Sequence, residues 1–233
     1  MPSTRSSLTR FLASALLVVA GSMAVTADDA APAAVGATEA AAKLRVGNGR
    51  FALDEPGSPD ISSARRKVIA GGQTPYAVVL TCADSRVAPE YVFNAGLGDL
   101  FVCRVAGNVA DTNVLGSIEY AVEHLHAPLI VVMGHSKCGA VAAALAGGAP
   151  HGNLGSLLES VHVGEGLPEG KDEKLAAAIA HNAEFQADAL TTHSEVIREF
   201  VKSGKVKIVT AVYDLATGRV EWLPAKVAAP ATK

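Results

Sequence analysis

Four apolar runs of strand length, each set off from the next by helical patterning, constrain this chain more than any other feature. They are "YAVVLT" (Tyr76–Thr81), "DLFVCRV" (Asp99–Val105), "PLIVVM" (Pro128–Met133) and "KVKIVTAV" (Lys205–Val212). Runs of this continuous kind belong to strands covered on both faces, and helices between them make a mostly parallel sheet. "GRVEWLP", after the turn at Gly218, adds a short fifth strand. Between the second and third runs, Val114, Ile118, Ala121, Val122 and Leu125 recur at helical spacing behind Asp111, a good N-cap. "GAVAAALAGG" reads as a short helix, and 172–201 as one long one. Ahead of the sheet, a helical pattern starts near Glu39, and Gly47 and Gly49 are expected to break it. "SPDISSARRKVIAGG" reads as a capped helix that starts at Ser58 or Asp60 and stops at Gly71 and Gly72. The expected class is α/β: a mostly parallel central sheet of four strands plus a short fifth, flanked by helices, with an N-terminal helical arm.

The chain has 233 residues, 49% hydrophobic and 18% charged, enough for one good core. A net charge of −3 offers no basic surface for nucleic acid. Residues 1–27 differ from the rest: Arg5 and Arg10 are the only charges, Phe11–Val25 is apolar, and small residues lead to Ala27. That is the layout of a secretory signal cleaved after Ala27, with an uncleaved membrane anchor as the alternative. The apolar run is short for a span. No cysteine lies near the cleavage point and the two arginines are not adjacent, which argues against a lipoprotein or the twin-arginine route. The expectation is an exported protein, periplasmic or secreted, without a stable membrane anchor after cleavage. Residues 28–38 read as an Ala-rich linker, 39–228 as a single domain of a size that suits catalysis, and 229–233 as a tail.

Chemistry gathers at two strand ends. The first run leads into Cys82, Asp84 and Arg86; the third leads into "GHSKCGA", which carries His135 and Cys138. In an open parallel sheet, functional groups collect beyond the carboxyl ends of strands where the strand order reverses. If these two strands are neighbours there, two thiolates and an imidazole converge, a tetrahedral zinc set one ligand short of closed. The fourth ligand would be water, substrate or a side chain. Asp84 could close the site, or Arg86 could hold that carboxylate off by a bidentate pair and leave room for water. Two other readings stay open: an exported protein could bridge Cys82 and Cys138, and Asp84 with Arg86 could be a solvated turn pair. The third cysteine, Cys103, sits inside a strand as a small buried hydrophobe. The remaining histidines lack partners at ligand spacing.

"CADSRV" followed by "GHSKCGA" resembles the paired signatures of the β-class carbonic anhydrases, C-x-D-x-R and H-x-x-C. "GNGRF", "FVCRVAGNV", "LGSIEYAV" and "YDLATGRVEWL" extend the resemblance over nearly the whole chain from about residue 39. The resemblance implies one zinc ion per chain on Cys82, His135 and Cys138, with Asp84 and Arg86 as a catalytic dyad and Asp84 as fourth ligand in a closed state. It implies reversible hydration of carbon dioxide to bicarbonate and a proton through zinc-bound hydroxide. Gln73, Phe101 and Tyr120 match substrate-binding positions, the tyrosine coming from a partner subunit, and Gly139 adjoins the pocket. Arg104 matches the arginine of a regulatory bicarbonate pocket, but Val79 stands where such members carry tryptophan, which favours the branch without that pocket. A homodimer or tetramer is expected. Two rivals remain: a zinc hydrolase of carbonyl sulfide or carbon disulfide, and an exported zinc-binding protein without catalysis, which would not need Asp84 and Arg86.

Overall fold

The computed structural model describes residues 35–147 and 151–224. The expected signal, most of the expected linker and the expected tail lie outside the described residues. Two helices come first, α1 (Ala37–Ala52) and α2 (Ser63–Ile69). The sheet then begins with β1 (Ala77–Thr81), α3 (Pro89–Val92), β2 (Leu100–Arg104) and a 3-10 turn over Ala106–Asn108. It continues through α4 (Thr112–Glu123), β3 (Leu129–His135), α5 (Gly139–Ala146) and α6 (Asn153–Glu159). The described chain closes with α7 (Lys171–His193), α8 (Glu195–Lys202), β4 (Lys207–Tyr213) and β5 (Val220–Trp222).

The strands lie in the order β2-β1-β3-β4-β5, parallel from β2 to β4, with β5 antiparallel on β4. Every residue of β1 and β3 is buried, as continuous apolar runs require. Val78, Leu80, Ile130 and Val132 face one layer, where they meet Ile118 and Val122 of α4, Leu190 of α7 and Ile197 of α8. Val79, Val131 and Met133 face the other, against Ala40 and Leu44 of α1 and Val92 and Phe93 beside α3. Each such side chain contributes about 1.5–3 kcal/mol by burial, so a one-residue slip of β1 would cost several of these contacts at once. A third cluster, with Val109, Val141, Val161 and Ile179, surrounds Cys82 and Cys138 beyond the strand ends.

Three boundaries differ from expectation, each for a local reason. Helix α1 does not break at Gly47 and Gly49 but runs through both. A Cβ at Gly47 would collide with the Phe93 carbonyl, so glycine there lets α1 sit directly on the end of α3. Asn48 then ties the contact: its Nδ2 donates to Val92 O (3.1 Å) and Gly218 O (2.8 Å), and its Oδ1 accepts from Val220 N (2.9 Å). Helix α2 starts later than Ser58 or Asp60, because Ser62 is its cap and accepts from Arg65 N. The single long helix expected over 172–201 is two helices. Ser194 leaves helical geometry (φ −120°, ψ 117°), its hydroxyl accepts from Ile197 N to cap α8, and it donates to Glu119 at 2.6 Å. Helices α3 and α6 and the 3-10 turn were not anticipated.

Candidate metal centre

Strands β1 and β3 are parallel neighbours, and between them the strand order reverses. Thr81 ends β1 and stitches it to β3 through its hydroxyl on Met133 O (2.8 Å). Cys82 is the next residue. His135 ends β3, and a two-residue turn with Lys137 at positive φ (56°) returns the chain so that Cys138 is the N-cap residue of α5. These connections bring one ligand atom from each of Cys82, His135 and Cys138 within 4.8 Å of one another, all buried. The disulfide alternative is not realised, since all three cysteines are free thiols.

The imidazole is prepared for a ligand. His135 Nδ1 lies 3.0 Å from Ser136 O, an acceptor, so the proton belongs on Nδ1 and the lone pair on Nε2. His135 is fully buried, yet Nε2 has no hydrogen-bond partner. A buried orphan of this kind is costly, and a metal ion would satisfy it. The two thiols titrate in opposite directions. Cys82 is drawn down, chiefly by the neighbouring Cys138 thiol and further by His135 and the amides of Asp84 and Gly107, against the effect of burial. Cys138, the donor in that pair and itself buried, is pushed up. The donor set of two sulfurs and one nitrogen suits zinc, with a fourth position left for something else.

Asp84 stands beside the cluster, Oδ2 at 3.8 Å from His135 Nε2. Arg86 holds it by the bidentate pair, Nε to Oδ1 at 2.9 Å and Nη2 to Oδ2 at 2.7 Å, and by its backbone N–H to Oδ1 at 3.0 Å. The Arg86 hydrogen bond keeps the Asp84 carboxyl well below the usual carboxylate range. This is not the solvated turn pair of the alternative reading, because the Asp84 side chain is only 17% exposed and turns toward the buried cluster.

Gly139 opens α5 directly after Cys138, with open space where a Cβ would stand. The other expected substrate-binding residues are not at this chain's own cluster. Gln73 is exposed in the loop before β1, whereas Cys82 follows the opposite end of that strand. Phe101 pairs in register with Val78, about 10 Å along the sheet from the level of Thr81 and Arg104. Its ring meets Tyr120 at 6.4 Å, and Tyr120 is 48% exposed. Cys103 is buried in the layer of α4 and pushed up to about 11 by desolvation, away from the cluster.

Arg104 has a different role from the regulatory-pocket one that the resemblance implies, and Gly107 is a contributor with no such expectation. Arg104 donates through Nε to Cys82 O (3.1 Å) and through Nη2 to Asp84 O (2.6 Å), so it straps the loop that carries both residues. Gly107 donates its backbone N–H to Cys82 Sγ at 3.4 Å. A glycine at positive φ was the only available signal for the second; a backbone donor has no residue-type signature.

The carbonic anhydrase family model matches residues 77–220, a span that includes every residue of the cluster and the dyad. The chain belongs to the β-class carbonic anhydrases. It is 45% identical over 182 residues to carbonic anhydrase 2 of Mycobacterium tuberculosis, covering 76% of this chain and 87% of that one. It is 41% identical to the carbonic anhydrase of Mycolicibacterium smegmatis, covering 76% and 89%. Among solved structures, the Coccomyxa β-carbonic anhydrase in complex with acetazolamide superposes with a TM-score of 0.65 at 30% identity, over 75% of this chain and 82% of that one. A tetrameric β-carbonic anhydrase of Sordaria macrospora gives 0.63 at 28% identity, over 80% and 95%.

Proposed function

We propose that this chain catalyses the reversible hydration of carbon dioxide to bicarbonate and a proton, with one zinc ion held by Cys82, His135 and Cys138. The observation that carries the reading is the buried, unpartnered His135 Nε2 among two thiols, beside a carboxylate turned toward it. Zinc held there would supply Lewis acidity, enough to bring the pKa of a water toward about 7. The protein's own groups do the rest. Asp84, kept ionised by Arg86, accepts a hydrogen bond from the attacking water and aims its lone pair at the carbon of the substrate. Arg86 holds that carboxylate by both oxygens and so fixes its rotamer. Val109, Val141 and Val161 give the cluster apolar surroundings, which suit an unpolar gas and strengthen the electrostatics of the site. A protein that only stored zinc would have no use for the Asp84–Arg86 pair.

The test is stopped-flow hydration of carbon dioxide by the purified protein, with zinc measured on the same sample. Rapid hydration with about one zinc per chain supports the reading; zinc without hydration at alkaline pH would overturn it in favour of a sulfur-analogue hydrolase or a storage protein. Gln73, Phe101 and Tyr120 are read as substrate-binding positions, with Tyr120 reaching the pocket of a partner subunit in a homodimer or tetramer; a monomer mass by light scattering at working concentration would contradict this. Export rests on the character of residues 1–27, and a mature amino terminus at Asp28 is its signature.

A further inference from the structure

We propose that Asn182, on α7, is a positioning residue of the metal centre: it fixes the Gly107 turn so that the Gly107 N–H stays on the Cys82 sulfur. The inference rests on the reading of Cys82, His135 and Cys138 as zinc ligands. Asn182 is fully buried and spends its polar atoms on loops of distant sequence. Its Nδ2 donates to Gly107 O at 2.7 Å and approaches Asn108 Oδ1 at 3.4 Å; its Oδ1 accepts from His162 N at 3.0 Å and Gln186 Nε2 at 3.3 Å. Gly107 is therefore held in both directions along the chain: its carbonyl, in the peptide to Asn108, accepts from Asn182, and its N–H, in the peptide from Ala106, donates to Cys82 Sγ at 3.4 Å.

The turn needs that grip. Gly107 (φ 72°) and Asn108 (φ 47°) are successive residues in the left-handed region, an unfavoured pair that persists only where neighbours over-determine it. Packing already excludes a side chain at Gly107, since a Cβ there would lie 2.9 Å from Val161 and 3.4 Å from Ala140. Packing alone does not fix the torsions of a glycine; the hydrogen bond from Asn182 anchors the peptide that follows Gly107, and through the Gly107 Cα it restrains the preceding one, whose N–H faces the sulfur. An N–H donated to a thiolate draws charge from the sulfur. The thiolate then gives less to the metal, whose Lewis acidity two sulfurs would otherwise blunt. Gln186 provides an internal contrast. It lies one turn further along α7 and is equally buried, but its short hydrogen bonds go to Ala110 N and Ser160 O (both 2.8 Å); it touches Asn182 only through a longer one (3.3 Å) and makes none to Gly107.

The test uses the full protein reloaded with cobalt(II), whose sulfur-to-metal charge-transfer absorption reports on the thiolates directly. In Asn182→Leu, the band is expected to move to lower energy and the affinity for metal to fall about tenfold. Gln186→Leu is expected to lower the melting temperature yet leave the band where it is. If Asn182→Leu does not fold, Asn182→Asp keeps the shape, and at alkaline pH its carboxylate cannot donate to Gly107; the same shift is expected. An unmoved band in a folded Asn182 variant, or an equal shift in Gln186→Leu, would overturn the proposal. Wild-type protein that takes up neither cobalt nor zinc would instead overturn the metal-site reading beneath it.

Discussion

Two aspartate–arginine pairs, Asp99 with Arg65 and Asp84 with Arg86, look alike on paper and differ in what the carboxylate faces. Asp99 is enclosed by structural partners: Arg65 Nη2 at 3.2 Å and Gly96 N at 2.8 Å, while Arg65 Nε is spent on Leu97 O. That pair pins α2, a helix with no buried residue of its own, to the loop before β2. Asp84 is gripped more tightly, by both arms of Arg86, yet one oxygen looks toward a buried imidazole nitrogen that has nothing to bind. The same kind of ion pair therefore fastens a surface element in one place and presents a charged oxygen to the buried Cys82–His135–Cys138 cluster in the other. Context decides the role, through the group that lies on the far side of the carboxylate.

Substitutions can break or sharpen this contrast. The largest effect belongs to the ligands that give Asp84 its context. A complete zinc site contributes about 10–16 kcal/mol of binding, so Cys138→Ser is expected to weaken zinc at least about 10²–10³-fold and abolish hydration, read by metal analysis and stopped flow. Asp84→Asn comes next, with zinc retained and hydration reduced about 10²–10⁴-fold. Arg86→Ala removes the restraint but leaves the carboxylate, and a smaller loss of about 10–100-fold is expected. Asp99→Asn is the counterpart: hydration unchanged, and stability lower by about 1 kcal/mol or less, visible only as a small drop in melting temperature. Loss of hydration in Asp99→Asn would erase the distinction.

Acid titration supplies a fifth, subtler difference. Arg86 depresses the Asp84 pKa in the folded protein, so this carboxylate contributes stability above the ordinary carboxylate range and loses it as pH falls through the depressed value. Arg86→Ala returns Asp84 toward its ordinary value. The variant's acid unfolding, followed by circular dichroism, should begin at slightly higher pH than that of wild type; coincident curves would mean that the pair carries no such linkage.

Much of this was legible in the chain. Continuous apolar runs declare strands covered on both faces, and such strands put their chemistry at their carboxyl ends. Cys82 and His135 follow from that rule once β1 and β3 are neighbours. What stayed hidden depends on groups without a sequence signature or on contacts across long separations. Gly47 and Gly49 resemble helix breakers until the Phe93 carbonyl is known to press on α1. Ser194 resembles an ordinary helix residue, because the apolar spacing continues past it to Ile197, while the break is made by its own hydroxyl and Glu119. Arg104 reads as a pocket arginine, yet it is spent on two main-chain carbonyls of the metal loop. Asn182 lies 75 residues from Gly107, and no local pattern links the two.

The most direct measurement of the central claim is carbon dioxide hydration by Asp84→Asn beside wild type, with zinc determined on each sample. The account predicts about one zinc per chain in both proteins and a hydration rate at least about 10²-fold lower in the variant. A variant that keeps its zinc and turns over at the wild-type rate would contradict it, and Asp84 would then be no more than a second Asp99.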